Sequence, residues 1–169
     1  MDDILRGYLE QQYKEGMELA TASDLLELVS ADGEPSSHYL ARFTCKGLAR
    51  SRTGVIEEAV EFGFAINIPD DYLRRVDPLR IVAVLGPDIW HPNIRTPFIC
   101  LGHVSPGTPL VGLLYQLYEI VTYHNYAAHD ALNPEAAAWA RENQYRFPLD
   151  HRPLKRSCAK PRLAEAVRS

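Results

Sequence analysis

Three cysteines, Cys45, Cys100 and Cys158, are the residues of this chain best able to make and break covalent bonds. A thiolate attacks an activated carbonyl and holds the acyl group as a thioester, which amines then attack. The three thiols are far apart and odd in number, so neither a disulfide framework nor a zinc site of paired thiolates is expected, and no metal or cofactor is predicted. Each must be judged alone, and the default for a lone cysteine is a small buried hydrophobe. Cys45 takes that default, because it alternates with Phe43 along an apolar strand face. Cys158, in the C-terminal tail, takes it too. Cys100 stands in an irregular stretch, 87–108, that also holds Trp90, Phe98, Ile99 and Leu101. That stretch is longer than an ordinary connector and too apolar for disorder, which marks it as functional. A cysteine hydrolase would further need an imidazole within hydrogen-bond reach of the sulfur, with His103 or His124 as candidate base.

The elements that must position these groups follow from hydrophobic spacing. Ile4, Leu5, Tyr8, Leu9 and Tyr13 recur at helical intervals, predicting an amphipathic helix from residue 3 to about 20. Strands come next. Residues 24–30 form a short apolar run closed by Asp32-Gly33-Glu34-Pro35-Ser36, and Tyr39, Ala41, Phe43 and Cys45 then alternate with Leu40, Arg42, Thr44 and Lys46. Phe62, Phe64, Ile66 and Ile68 alternate until Pro69, and Leu79 to Leu85 supplies a fourth strand. Beyond the irregular stretch, Thr108-Pro109 predicts an N-cap with proline at the first helical position, opening a helix through Leu113, Leu117 and Val121. Asn133-Pro134-Glu135 repeats the device ahead of a helix from Ala136 to about Gln144.

At 169 residues with 46% hydrophobic and 24% charged, the chain has the balance of one globular domain, assigned to residues 1–149, followed by a basic tail at 150–169. No apolar run approaches membrane-spanning length, and Met1-Asp2-Asp3 lacks the pattern of a signal peptide, so a soluble cytoplasmic protein without membrane association is expected. Residues 151–169 carry six bases and one acid, a charge of +5, which leaves −9 for the remainder of a chain of net charge −4. The default for such a tail is a solvated, partly frayed terminus, and nucleic-acid binding is not inferred.

Four motifs occur in series: Trp90-His91-Pro92-Asn93-Ile94, Ile99-Cys100-Leu101, Ser105-Pro106, and Leu132-Asn133-Pro134-Glu135-Ala136-Ala137 followed by Trp139 and Asn143. In this order they resemble the ubiquitin-conjugating enzyme family, most specifically over residues 90–143. The resemblance implies an α+β fold: an N-terminal helix, a four-stranded antiparallel meander, an active-site loop and C-terminal helices. It implies that Cys100 accepts a ubiquitin-like protein from an activating enzyme and passes it to a lysine of a protein target. Asn93 would steady the oxyanion or hold the loop in shape, His91 and Pro92 would shape the turn, and Asp130 would orient or deprotonate the incoming lysine. Tyr123, His124 and Tyr126 would line the same mouth.

The chain also departs from that pattern. It is one residue shorter between His91 and Cys100, with Thr96-Pro97-Phe98 in place of a more polar segment, and it is abbreviated after the cysteine, at Gly102-His103-Val104-Ser105-Pro106. Residues 70–78 replace a proline-rich stretch. Since two of these loops form the family's ligase-binding surface, recognition of a ligase of the eukaryotic kind is not expected. The abbreviations resemble a divergent, bacterial-type member. Such members belong to conjugation operons, some with a deconjugating peptidase, that commonly serve antiphage defence. A catalytically idle binding module of the same fold is the alternative, though its signature would be a missing cysteine.

Overall fold

A computed structural model describes residues 2–127 and 130–157. Helix α1 (Asp3–Thr21) begins where expected, because the Asp2 carboxylate accepts the Leu5 N–H at 2.7 Å and satisfies one of the free amides of the first turn. Its buried stripe, Leu5, Leu9, Gln12, Gly16 and Leu19, steps by four and three residues and faces the core. The glutamine on that apolar stripe has a partner in helix α3 (Leu110–Val121): Gln12 Oε1 accepts the Leu110 N–H at 2.7 Å. This corrects the expected cap. Thr108 does not cap α3; its hydroxyl is turned to Ser105, donating to the carbonyl at 2.8 Å, and Pro109 occupies the cap position without a side-chain bond. The helix start is closed by a residue from another helix.

Strands β1 (Leu26–Ser30), β2 (His38–Arg50), β3 (Ile56–Asn67) and β4 (Val82–Gly86) form an antiparallel meander in sequence order. One face, with Leu28, Tyr39, Phe43, Phe62, Phe64, Ile66 and Val84, is buried against α1 and α3, and Cys45 lies wholly within it. The fourth strand is shorter than expected. Pro78 has no amide N–H for the ladder, and the Asp77 carboxylate accepts from Leu79 at 3.2 Å, so Pro78–Ile81 forms a single helical turn, α2, before β4 begins.

The long central strands matter most for what lies beside the sheet. The register of β2 against β3 shifts between Thr44 and Gly47, and beyond that bulge β2 carries Leu48 into a second, smaller core with Trp90, Tyr123 and Ala136. Gly47 makes room for this crossing, since a Cβ there would lie 2.5 Å from Phe62 Cζ and 2.9 Å from Val121 Cγ1. Gly47→Ala should therefore lower stability by about 1–3 kcal/mol, the usual cost of overpacking, measurable as a reduced urea midpoint at unchanged m-value. An unchanged midpoint would mean that the ring of Phe62 moves freely aside.

Helix α4 (Pro134–Glu142) starts at the predicted cap, with Asn133 Oδ1 accepting the Ala136 N–H at 3.1 Å, and is followed by a 3-10 turn at Gln144–Arg146. Beyond it, residues 150–157 are fastened to the domain. Buried Asp150 accepts the Lys46 N–H at 3.0 Å and is paired with Arg152, Leu154 is buried, and Arg156 donates to the Thr21 and Ala22 carbonyls at the end of α1. These last bonds satisfy carbonyls that the helix itself leaves open. The part of the expected tail that is described is thus not frayed, while Cys158 and the rest of the tail lie outside the described residues. No helix among the described residues is long and apolar enough to cross a membrane.

Candidate active site

Residues 87–108, expected to be irregular, contain a small hairpin of β5 (Ile94–Arg95) and β6 (Phe98–Ile99) with a two-residue turn at Thr96-Pro97. The turn is docked on the main sheet by the Val84 N–H, which donates to the Pro97 carbonyl at 2.8 Å. Pleating sets the directions of the side chains. Ile94 and Ile99 oppose each other and are fully buried, whereas Arg95 and Phe98 oppose each other on the exposed side. One rung further from the turn, the Cys100 N–H donates to the Asn93 carbonyl at 2.8 Å, so Cys100 and Asn93 also face each other. Cys100 is partly buried between the fully buried Ile99 and the buried Leu101, and its backbone is held by the rung to Asn93.

Asn93 is the hub of this arrangement. Its Nδ2 donates to the Cys100 carbonyl at 3.2 Å, and its Oδ1 accepts the Ala127 N–H at 2.8 Å. The side chain thereby ties the cysteine strand to the segment that follows α3. That segment is tied a second time, since the Asn133 N–H donates to the Pro92 carbonyl at 2.9 Å. Asp130 is exposed between these two attachments, both of which end on the dipeptide Pro92-Asn93. Asn93→Ala should cost about 1–3 kcal/mol through the orphaned groups and should speed amide hydrogen exchange at Ala127 and Cys100. Asn93→Asp keeps the acceptor for Ala127 and loses the donor to Cys100, so exchange at Ala127 should stay slow. Fast exchange there in both variants would assign the hold on the loop to other contacts.

His91 is fully buried, and burial lowers its imidazole to about 3, opposed weakly by the backbone of Asn125, so the ring is neutral. Nδ1 accepts the Asn93 N–H at 3.0 Å, and the ring packs edge-on against Tyr123 with centroids 4.5 Å apart. Nε2 is buried and has no hydrogen-bond partner among the described residues. Tyr123, also buried, donates its hydroxyl to the Trp90 carbonyl and stands at a positive φ of 62°. Tyr126 stacks beside it and Phe147, with centroids 6.3 and 5.2 Å away. His124 is exposed, bonded through Nδ1 to the Thr122 hydroxyl at 2.8 Å and facing His151 at 5.5 Å.

Pro92, Asn93 and Cys100 are thus joined directly and His91 supports them from beneath, whereas among the described residues no hydrogen bond or ion pair brings Asp130 to the thiol. Among the described residues no imidazole hydrogen-bonds the Cys100 sulfur. His91 uses its lone pair on Asn93, His124 is bonded to Thr122, and exposed His103 touches Gln116 only through its carbonyl. The geometry of a cysteine hydrolase is therefore not assembled by these rings. No group of three or more His, Cys, Asp or Glu side chains that could hold a metal occurs among the described residues. Sequence reasoning missed the double use of Asn133 and the hairpin that sets Arg95 opposite Phe98 on an exposed rung.

No protein-family model matches the chain, and no curated protein matches it. Among solved structures, 57 chains are similar. One is the E2 domain of a Toxoplasma gondii ubiquitin conjugating enzyme, 21% identical, with a TM-score of 0.51, where the match covers 81% of this chain and 89% of the other. Helix, four-stranded antiparallel sheet and C-terminal helices together are the fold of that domain.

Proposed function

We propose that this chain, built on the fold of ubiquitin-conjugating enzymes, receives a ubiquitin-like protein on Cys100 as a thioester and delivers it to a lysine of a protein target. The observation that carries this reading is a partly buried cysteine whose backbone is held across one hairpin rung from Asn93, with no imidazole bonded to its sulfur among the described residues. An acyl carrier needs reach and a fixed backbone more than an adjacent base, because the incoming acyl group is already activated.

In the first step the Cys100 thiolate attacks the thioester carbonyl that links the ubiquitin-like protein to its activating enzyme. The tetrahedral intermediate collapses with release of the activating enzyme's thiolate. In the second, a neutral lysine amine attacks the Cys100 thioester, the C–S bond breaks, and the Cys100 thiolate leaves as the amide forms. The proton lost from the attacking nitrogen passes to Asp130 or to water. Asn93 holds the Cys100 carbonyl through one Nδ2 hydrogen, and its second hydrogen is the candidate donor to the oxyanion. His91, Pro92, Tyr123 and Tyr126 act by shaping the turn and the mouth, and His124 lies at its rim.

The setting proposed is a bacterial, cytoplasmic conjugation system directed against phage, with an activating enzyme, a ubiquitin-like protein and in some cases a deconjugating peptidase encoded nearby. The short turn of the β5–β6 hairpin and the departures at 70–78 and 102–106 support a partner surface unlike that used by eukaryotic ligases. Intact-mass analysis tests the central claim. Incubation with the activating enzyme, ATP and the ubiquitin-like protein should add the mass of that protein less one water, and a thiol reductant should remove it. An adduct that survives reduction, or none at all, would count against a thioester.

A further inference from the structure

Two imidazoles meet where the end of α3 faces the 150–157 segment. The rings of His124 and His151 lie with centroids 5.5 Å apart and planes at 70°. Both side chains are exposed, and among the described residues that of His151 has neither a hydrogen bond nor an ion pair. The tautomer of His124 follows from its neighbour. Fully buried Thr122 has one hydroxyl hydrogen, and the Tyr118 carbonyl, 2.7 Å from Oγ1, can only accept it. The 2.8 Å contact between Oγ1 and Nδ1 of His124 must then be made by a hydrogen on the ring, donated to the hydroxyl oxygen. In the neutral ring Nδ1 therefore carries the proton, and Nε2 keeps its lone pair.

We propose that His124 and His151 form a site for one divalent transition-metal ion, of the zinc, nickel or copper class, which clasps the 150–157 segment to the end of α3. Imidazole suits these ions, whereas magnesium and calcium favour oxygen. Two imidazoles on one tetrahedral zinc, each nitrogen about 2.0–2.1 Å from the metal, set their ring centroids about 5 Å apart, close to the separation found. A ligating imidazole usually donates its other N–H to an oxygen that fixes the ring, and buried Thr122 already serves His124 in this way. The backbone is held on both sides. The His124 N–H donates to the Glu119 carbonyl at 2.9 Å, and Asp150, next to His151, accepts the Lys46 N–H and pairs with Arg152. Tyr118 joins the two sides, since its carbonyl accepts from Thr122 and its hydroxyl donates to the Arg152 carbonyl. The exposed ring of His151 can turn towards the ion without giving up a hydrogen bond. Two protein ligands leave the remaining positions to water, so the ion is exchangeable, unlike one in a closed four-ligand site.

Calorimetric titration of the native protein with zinc chloride tests this. One ion should bind per chain, magnesium should not bind, and zinc should raise the urea midpoint of the native protein but not that of His151→Ala. His124→Ala and His151→Ala should each weaken zinc binding at least about ten-fold. Thr122→Val, which keeps both imidazoles and removes the oxygen that fixes one of them, should weaken it about ten-fold. NMR of the imidazole nitrogens of the native protein answers the same question without a variant. Nδ1 of His124 should carry the proton before zinc is added, and zinc should shift Nε2 of His124 and the His151 ring together. Unchanged affinity in any of the three variants, equal uptake of magnesium, or two unshifted rings at saturating zinc would overturn the site. Binding that survives both alanine variants and vanishes once the thiols are alkylated would place the ion on cysteine and overturn it equally.

Discussion

Cys100→Ser is expected to turn the reducible adduct into one that survives a thiol reductant, and Cys100→Ala to abolish it. An oxyester formed on serine is a poorer acyl donor to amines than a thioester and is not cleaved by thiols, so the serine variant should collect adduct that the native protein passes on. Folding should be preserved, because the side chain is only partly buried and makes no hydrogen bond that either variant loses. A partly buried replacement of this size should cost no more than about 1 kcal/mol. The contrast with Cys45 is the control. That thiol is fully buried, and burial, with a further contribution from Asp150, raises it to about 12, so it is protonated and unreachable. Cys45→Ala should keep the adduct while lowering stability. Gels run with and without reductant, intact masses and urea midpoints of the three variants give the answer. The same adduct on Cys100→Ala would move the chemistry to another residue.

A large pH effect on stability is expected from His91. Its imidazole falls from an ordinary value of 6.5 to about 3 in the folded chain, through burial. The unfolded chain takes up a proton below pH 6.5 that the folded chain refuses, so the stability associated with the neutral ring is complete above 6.5 and is lost as pH falls towards 3. The slope is about 1.4 kcal/mol per pH unit, or roughly 4–5 kcal/mol over the whole window, enough to unfold a domain of ordinary stability. Asp150 is held below the usual carboxylate range, first by its hydrogen bond with Arg152, so its contribution is lost only below about pH 4, under the ordinary value of 3.8. Glu27, ordinarily at 4.5, is likewise held low by its hydrogen bond with Arg42, so the interval from pH 6.5 to about 5 isolates the histidine. Urea midpoints of the native protein should fall steeply across it, and those of His91→Gln, whose amide oxygen can still accept the Asn93 N–H, should stay nearly level. Parallel curves for the two proteins would show that the ring takes up a proton without unfolding.

What could be read locally came from residues whose partners are near in sequence. Asn133 caps α4 three residues ahead, Asp2 caps α1 in the same way, and the alternation around Phe43 and Phe64 reflects which face of a pleated strand is buried. Short-range sterics and hydrogen bonding decide those features, so composition and spacing reveal them. The fold class followed from the family resemblance that the motifs carry, and Cys100 stood out through the same motifs.

The surroundings of the thiol belong to the tertiary structure. Gln12 closes the start of α3 in place of Thr108, because a buried amide oxygen from another helix accepts the free N–H while the Thr108 hydroxyl bonds Ser105. Asn93 bonds Ala127, 34 residues away, and Pro92 holds Asn133, so the segment carrying Asp130 is positioned by contacts that no local spacing encodes. The shortened stretch before the cysteine becomes a hairpin only because the Pro97 carbonyl finds an amide of β4 and because Ile94 and Ile99 find the core. Burial on one side and solvent on the other then place Ile94 and Ile99 in the core and Arg95 and Phe98 in solvent, and the next rung sets a partly buried Cys100 opposite a buried Asn93. The residue types were present in the sequence, and long-range packing brought them together.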